Sequence, residues 1–349
     1  MSGRFTISAA LVFFLFSLPA IPSCARDSGP LVRQTFVMGT RGTVTIYGLP
    51  AGDAEAAASE AIREMHRIES VMSTWREESE ISRLNRDSRG RPVRVSAELF
   101  TLLEKAYRFS ELTGGAFDVT ARPIVRLWGF QGGEAKLPTE AEIADSLSRV
   151  GWRKMVLDTA DTSVTLTGGS GIDLAGIGKG YAVDRCARIL RDHGAKSALV
   201  DLGGNMFAIG APPGRDAWSI GIRDPEDPSG VIGKLLIRDE AVATSGNYEN
   251  FVVIDGKKYG HIVDPRTGRT VDHVLGVTVV APSATESDAL STGLFVLGPE
   301  ESARMEESFA GVGAVFALPD DVFEFVGDLG GKLELFEKRQ GLFRHSNGS

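Results

Sequence analysis

The stretch Gly171-Ile172-Asp173-Leu174-Ala175-Gly176-Ile177-Gly178-Lys179-Gly180-Tyr181 reads as a strand ending in a carboxylate, then a glycine loop, then the start of a helix. Glycine permits tight turns and close backbone approach to a ligand. Free N–H groups at a helix start, together with the helix dipole, favour a bound anion. Two common phosphate loops are excluded. A P-loop needs a glycine five before Gly178 and Ser or Thr after Lys179, where this chain has Asp173 and Gly180. The dinucleotide fingerprint needs Gly-x-Gly-x-x-Gly, whereas Gly176, Gly178 and Gly180 are spaced two and two. The residues alone leave a second reading open, in which the glycines only fit a helix tightly against a sheet.

Outward from this loop, the helix it opens runs over Tyr181 to His193. Alternation predicts strands at Ala198–Leu202 and Met206–Ile209 around Gly203-Gly204-Asn205. More strands follow at Trp218–Ile222, Gly233–Ile237, Ala241–Thr244, Phe251–Ile254, His261–Val263, Leu275–Val280 and Gly313–Leu318. Upstream, Gln34–Tyr47 reads as a strand pair around Gly39 and Gly42, and Met155–Leu157 and Val164–Leu166 flank a turn. Apolar spacing of three and four predicts helices over Ala54–Val71, after Ser96 (ending at Gly114-Gly115), over Thr139–Val150, over Ala284–Leu297 and near Glu300–Phe309. This mixed order indicates an α+β fold, a single mixed α/β domain over 31–343, without the regular alternation of a doubly wound sheet.

The chain has 349 residues, 42% hydrophobic and 24% charged, which is enough to bury a large core. A net charge of -8 with scattered Lys and Arg argues against nucleic acid as partner. Arg4 followed by the apolar run Phe5–Leu18 reads as a secretory signal peptide, too short to span a bilayer comfortably. Ile21-Pro22-Ser23-Cys24 is similar to the lipobox of bacterial lipoproteins. On that reading residues 1–23 are a cleaved lipoprotein signal, Cys24 is the lipidation site and 24–30 form a tether. Cleavage after Ala25, with Cys24 discarded, is the alternative. Cys186 then has no partner, so no structural disulfide is expected, and two cysteines cannot build a thiolate metal site.

Two further segments carry candidate chemistry. In Ala284-Thr285-Glu286-Ser287-Asp288-Ala289-Leu290-Ser291-Thr292-Gly293, Asp288 and Thr292 lie four apart and share a helix face. A carboxylate and a hydroxyl so placed can ligate a hard cation such as Mg²⁺. Capping, by Ser283 with Glu286 or Thr285 with Asp288, fits the same residues. Tyr259-Gly260-His261-Ile262-Val263-Asp264-Pro265-Arg266-Thr267-Gly268 is a tight turn preceded by one of only five histidines, equally readable as structural or catalytic. Gly115-Ala116-Phe117-Asp118-Val119-Thr120 is a helix end followed by an extended segment.

Together these segments resemble the FAD:protein FMN transferase (ApbE) family. The resemblance runs in order through Met38-Gly39-Thr40, Ser73-Thr74-Trp75, Glu80–Asn85, Gly115–Thr120, Ile172–Asp184, Asp201–Asn205, Ala243–Gly246, His261–Gly268 and Ser287–Gly293. It implies Mg²⁺-dependent transfer of FMN from FAD to a Thr or Ser hydroxyl of another protein, with AMP leaving. Asp288 and Thr292 match the family's side-chain metal ligands, and Gly176 matches a ligand that uses its backbone carbonyl. Met38, Ala116, Phe117, Asp118, Asp173, Lys179 and His261 fall on positions that contact FAD. His261 and Asp288 fall on positions at the reacting phosphate. The resemblance implies an exported enzyme, lipid-anchored to the cell membrane at the periplasmic face of the inner membrane, acting on an exported or membrane redox protein. An FAD pyrophosphatase and a non-catalytic FAD-binding lipoprotein are the rival readings.

Overall fold

The computed structural model describes residues 29–132, 135–227, 229–247, 250–336 and, for the backbone, 343–345. The signal segment, Cys24 and most of the tether lie outside the described residues. Seven helices are described: α1 (Ala51–Met72), α2 (Glu80–Asp87), α3 (Ala97–Leu112), α4 (Arg122–Leu127), α5 (Glu140–Leu147), α6 (Gly178–Asp192) and α7 (Ala284–Arg304).

A nine-stranded sheet forms the centre, and its strands lie side by side in chain order: Leu31–Val37, Thr40–Tyr47, Ser197–Leu202, Asn205–Ile209, Ala241–Gly246, Gly276–Ala281, Gly313–Leu318, Val322–Gly327 and Phe343–His345. Every neighbouring pair is antiparallel except the last, which is parallel. Such a sheet with segregated helices is the expected α+β class. The Gly276–Ala281 strand is buried at each position because both sheet faces are covered.

On one face lie α1, α6 and α7. Ala54, Ala57, Ala58, Ala61, Met65, Ile68 and Met72 form the buried stripe of α1, and they share a core with Val44, Ile46, Val200 and Leu202 of the sheet. On the other face a three-stranded sheet packs through Trp218, Ile220, Ile222, Leu235 and Ile237 against Val242, Val280, Val315 and Phe323. Its Trp218–Arg223 strand alternates buried and exposed, as one wet face requires.

Several local expectations are corrected by the structure. The strand expected to lead into the glycine loop does not form: among the described residues it makes only an isolated bridge, of Gly171 to Ala121. The Asn85 side-chain amide takes the place of a neighbouring strand there: Asn85 Nδ2 donates to the Ile172 carbonyl (2.8 Å) and Asn85 Oδ1 accepts from the Ile172 N–H (2.7 Å). His261–Val263 is likewise irregular, and only Val263 bridges to Thr270. The helix expected from Tyr181 starts earlier, at Gly178. The helix expected at Glu300 is continuous with α7 across a kink, where Gly298 takes a φ of 76° before Pro299. α2, α4 and the Val322–Gly327 strand were not expected from periodicity. The first two are a single turn or two long, too short for a 3.6-residue pattern to register.

Gly180 decides how α6 meets α7. A Cβ there would sit 2.0 Å from the Ala284 carbonyl oxygen and 2.7 Å from the Asp288 Cβ, so only glycine permits this helix contact. Asp184, one turn further along α6, accepts from the N–H groups of Ala284 (2.7 Å) and Thr285 (2.9 Å) and so fastens the start of α7. Cys186 is buried and free, with its thiol near the Ala61 carbonyl (3.2 Å). Among the described residues no helix is long and apolar enough to cross a membrane.

Candidate active site

The loop before α6, the segment before α4, the hairpin turn at Met38 and the inner face of α7 enclose a cavity of about 500 Å³. Met38, Ala116, Phe117, Asp118, Asp173, Gly176, Lys179, His261, Asp288 and Thr292 all line it. Residues separated by up to 254 positions in the chain (292 − 38) are thus brought to one place.

Asp288 is 4% exposed and projects from α7 toward the start of α6. Its Oδ2 accepts the Gly180 N–H at 2.8 Å, and Lys179 Nζ lies 3.9 Å from Oδ1. Burial pushes its carboxyl above the usual range, while Lys179 and the backbone N–H groups of Gly180 and Lys179 pull the other way. Ser283 caps α7 by accepting from the Glu286 N–H, as one of the two capping readings expects, while Asp288 makes no cap on its own helix and instead accepts from the first turn of α6. Thr292 sits one turn on, and its hydroxyl is within 3.4 Å of the Asp288 carbonyl. A Cβ on Gly176 would lie 3.1 Å from Thr292 Oγ1, so the Gly176 backbone stands beside that hydroxyl.

The Asp288 carboxylate and the Thr292 hydroxyl, with the Gly176 backbone beside that hydroxyl, could offer oxygens to Mg²⁺, a cation that keeps waters and substrate phosphates for its other positions. Among the described residues no three His, Cys, Asp or Glu side chains gather to hold a metal. A set with one carboxylate falls outside that pattern. Burial of the Asp288 carboxyl outweighs the Lys179 charge 3.9 Å away and the backbone donors of Gly180 and Lys179, and a bound cation would offset that cost.

His261 lies just after the Phe251–Ile254 and Lys257–Gly260 hairpin. Its Nδ1 is 3.1 Å from the Asn250 carbonyl, which assigns the proton to Nδ1 and leaves Nε2 as an acceptor. Burial, followed by the nearby Lys179 charge, drives its pKa down, although the Asn250 contact opposes this. A neutral imidazole with a free Nε2 is the form that can take a proton.

Lys179 is in the first turn of α6, with Nζ 3.2 Å from the Ala175 carbonyl. It therefore adds a full charge at the positive end of the helix dipole. Asp173 accepts from the Ala175 N–H (3.1 Å) and from Gln131, and burial raises its pKa. Met38 adopts a positive φ of 52°, rare for a side chain of its kind, and precedes Gly39 at 72° in a two-residue hairpin turn. The Glu69 carboxylate holds it by accepting the Met38 N–H at 2.6 Å.

Asp118 lines the cavity with its carboxylate fully bonded to the protein. Its Oδ1 accepts from the N–H and hydroxyl of Thr120 (both 2.7 Å), and its Oδ2 accepts the Trp152 N–H at 2.8 Å. With both oxygens engaged, Asp118 braces the wall that it, Ala116 and Phe117 give the cavity.

Sequence reading did not single out Asn250, Arg122 or Gln131. Asn250 comes beside His261 only once the intervening hairpin folds and pairs Phe251 with Gly260. A second hollow of about 800 Å³ joins the first through Met38, Asp173, Lys179, Asn250 and His261, and it is walled by Trp75, Phe130 and Phe251. Trp75 is 71% exposed at its edge.

A lysine at a helix start, oxygen donors on α7 and a histidine with a lowered pKa around one cavity are the features expected of a site for a phosphate-bearing substrate. The family model described as the ApbE family matches residues 38–316, and the chain belongs to that family. It is 37% identical over 308 residues to the FAD:protein FMN transferase of Treponema pallidum, covering 82% of this chain and 84% of that protein. It is 32% identical to the protein of the same name in Klebsiella pneumoniae, over 85% and 88% of the two chains. Among solved structures, the ApbE protein of Thermotoga maritima superposes with a TM-score of 0.78 at 32% identity, covering 90% of this chain and 99% of that one. The flavin transferase ApbE of Vibrio cholerae gives 0.75 at 31% identity, with the same coverage.

Proposed function

We propose that this chain transfers FMN from FAD to a hydroxyl of another protein. The observation that carries this reading is the convergence of Asp288, Thr292, Gly176, Lys179 and His261 on one cavity in a chain of this family. The pyrophosphate of FAD would lie against the start of α6, where Lys179 and the positive end of the helix dipole meet its charge, the N–H groups of Gly178, Gly180 and Tyr181 being bonded already to the Leu174 carbonyl, Asp288 and the Ile177 carbonyl. Asp288, Thr292 and the Gly176 carbonyl would hold Mg²⁺, and a bound Mg²⁺ would supply withdrawal of charge from the phosphoryl oxygens. The acceptor Thr or Ser oxygen attacks the phosphorus on the FMN side. A new P–O bond forms to the protein, the bond to the bridging oxygen breaks, and AMP departs with that oxygen. His261 Nε2 takes the hydroxyl proton, and the Asn250 carbonyl keeps the imidazole in the tautomer that allows this.

The hollow beside His261, with Trp75 and Phe251 on its rim, is open to solvent and can admit a segment of the acceptor protein. The lipobox-like Ile21–Cys24 supports display of the enzyme on a lipid anchor outside the cytoplasm, at the periplasmic face of the inner membrane, where an exported or membrane redox protein would be its acceptor.

The test mixes the detergent-purified full chain with FAD, Mg²⁺ and a candidate acceptor protein. AMP release with a flavin-fluorescent acceptor band on a denaturing gel is the expected result. AMP with free FMN and dark bands across a panel of exported redox proteins would replace the transferase by a pyrophosphatase.

A further inference from the structure

The first turn of α4 is shared by two cavities. Ala121, Arg122 and Val125 line the active-site cavity, while Arg122, Pro123 and Arg126 line a separate one of about 630 Å³. Among the described residues four arginines border this second cavity, Arg89, Arg122, Arg126 and Arg149, and no Asp or Glu does. That is against the grain of a chain with net charge -8. Arg149 pairs with Asp145 at 2.7 Å, but among the described residues no carboxylate lies within ion-pair distance of the other three. Arg122 and Arg126 are four apart on one helix face, an arrangement that repels unless an anion lies between them.

The donors themselves are waiting for an acceptor. Arg122 Nε, Arg149 Nε and Ser170 Oγ are buried with no hydrogen-bond partner. Buried donors without partners are rare and call for a specific explanation. The Gly168-Gly169-Ser170-Gly171 loop borders the same cavity. A Cβ at Gly171 would lie 3.6 Å from Arg122 Cδ, and one at Gly169 would lie 3.3 Å from Arg149 Cδ. Both arginine stems therefore rest on bare backbone. Burial and the neighbouring Arg126 charge hold the Arg122 pKa below its usual value against the opposing pull of the Asp173 charge, and an anion would relieve both.

We propose that this cavity is a second anion site, separate from the reacting pyrophosphate, that takes the phosphoryl group of a phosphate ester. Guanidinium forks from three separate segments match the oxygens of a tetrahedral phosphoryl group better than a flat carboxylate. The space exceeds a bare phosphate, so the group carries a body with it. Among the described residues no aromatic ring lines the cavity, which favours an aliphatic body over a stacked base or flavin. A soluble phosphate ester and a phospholipid headgroup share this chemistry. The inference stands on the arginine set and does not depend on the transfer reaction.

The test uses the full chain saturated with FAD, so that the active-site cavity is filled, without added divalent cation. Inorganic phosphate is titrated calorimetrically into the wild type and into the R89E/R126E variant, two exposed positions outside the reaction machinery. Affinity is expected to fall at least tenfold in the variant, with FAD binding unchanged. R89Q/R126Q repeats the measurement should charge reversal impair folding. In parallel, both proteins are sedimented with phosphatidylglycerol and with phosphatidylcholine vesicles, after removal of residues 1–24 from each so that no anchor contributes; their thermal midpoints are checked against the full chain. Phosphate binding without vesicle retention identifies a soluble ester. Retention on phosphatidylglycerol alone, lost in the variant, identifies a headgroup. Equal phosphate affinity and equal vesicle retention in wild type and variant, or neither in the wild type, overturns the site.

Discussion

His261 and Asp288 face the same cavity with opposite electrostatic situations. The imidazole is kept neutral by burial and Lys179, so its proton-accepting form persists to lower pH than for an ordinary histidine. His261→Ala is expected to slow acceptor labelling about 10²- to 10⁴-fold, the range for losing a positioned base, with FAD affinity little changed; stopped-gel fluorescence against time measures it. In the wild type the acid limb of the rate–pH profile should fall below the ordinary histidine value of 6.5, because the folded state lowers the pKa. A limb above that value would exclude His261 as the base. Lowering a histidine pKa also means the unfolded chain binds its proton first, so this group opposes folding as pH drops below 6.5 and is silent above it. Asp288→Asn keeps an acceptor for the Gly180 N–H and removes the buried charge. Labelling should drop about 10²-fold or more, several kcal/mol of lost charge stabilisation, and no longer respond to Mg²⁺, while the thermal midpoint holds or rises. An unaltered Mg²⁺ response would remove Asp288 from the metal set.

Between elements, the site depends on how closely α6 and α7 approach. Gly180→Ala drives a Cβ into the Ala284 carbonyl, where backbone cannot yield cheaply. Overpacking of this sort costs about 1–3 kcal/mol, and here it also displaces the Asp288 backbone. Both a lower thermal midpoint and reduced labelling are expected, and normal labelling would show that the helices can part without harm. A charged cluster ties the outer surfaces of α1, α3 and α6. Arg67 bonds Glu64 and Glu98 (both 2.7 Å), Arg185 bonds Glu64 (3.1 Å), and Tyr181 donates to Glu98 (2.9 Å). Arg67, through hydrogen bonding, holds the Glu64 and Glu98 carboxyls below their ordinary value of 4.5. Lowered carboxyl pKa values give stability that is complete above 4.5 and is lost as pH falls through the folded values. Chemical denaturation from pH 7 to pH 3 should show this loss in the wild type and a smaller one in Arg67→Met. Because the cluster is partly wet, the effect is modest.

For the whole molecule, the central sheet with helices on one face and a small sheet on the other creates cores that share strands. Phe316 is fully buried, and its strand pairs with Gly276–Ala281, whose other edge carries the Ala241–Gly246 strand at the cavity. Phe316→Ala should cost about 3–5 kcal/mol and lower FAD-binding and far-ultraviolet transitions together; separate transitions would mean that the cores unfold independently.

How much of this was legible beforehand differs by element. Long amphipathic helices such as α1 and the glycine-marked ends of α3 could be read from spacing, because burial of one stripe imposes a period. The candidate site was legible as separate motifs, and the resemblance rested on their order. Gly171–Tyr181 announced an anion loop, but its strand was an illusion: the Ile172 backbone bonds to the Asn85 side chain, 87 positions away. Asn250 as the partner of His261, both Asp118 oxygens bound by Thr120 and Trp152, and four arginines around one hollow were equally invisible. By itself the chain determined which residues carry charge, turn the backbone or seek burial, since these are properties of side chains and short spacings. Only the tertiary structure decided whether Asp288 caps its helix or faces a cavity, because that depends on Gly180 letting α6 close to van der Waals contact with α7.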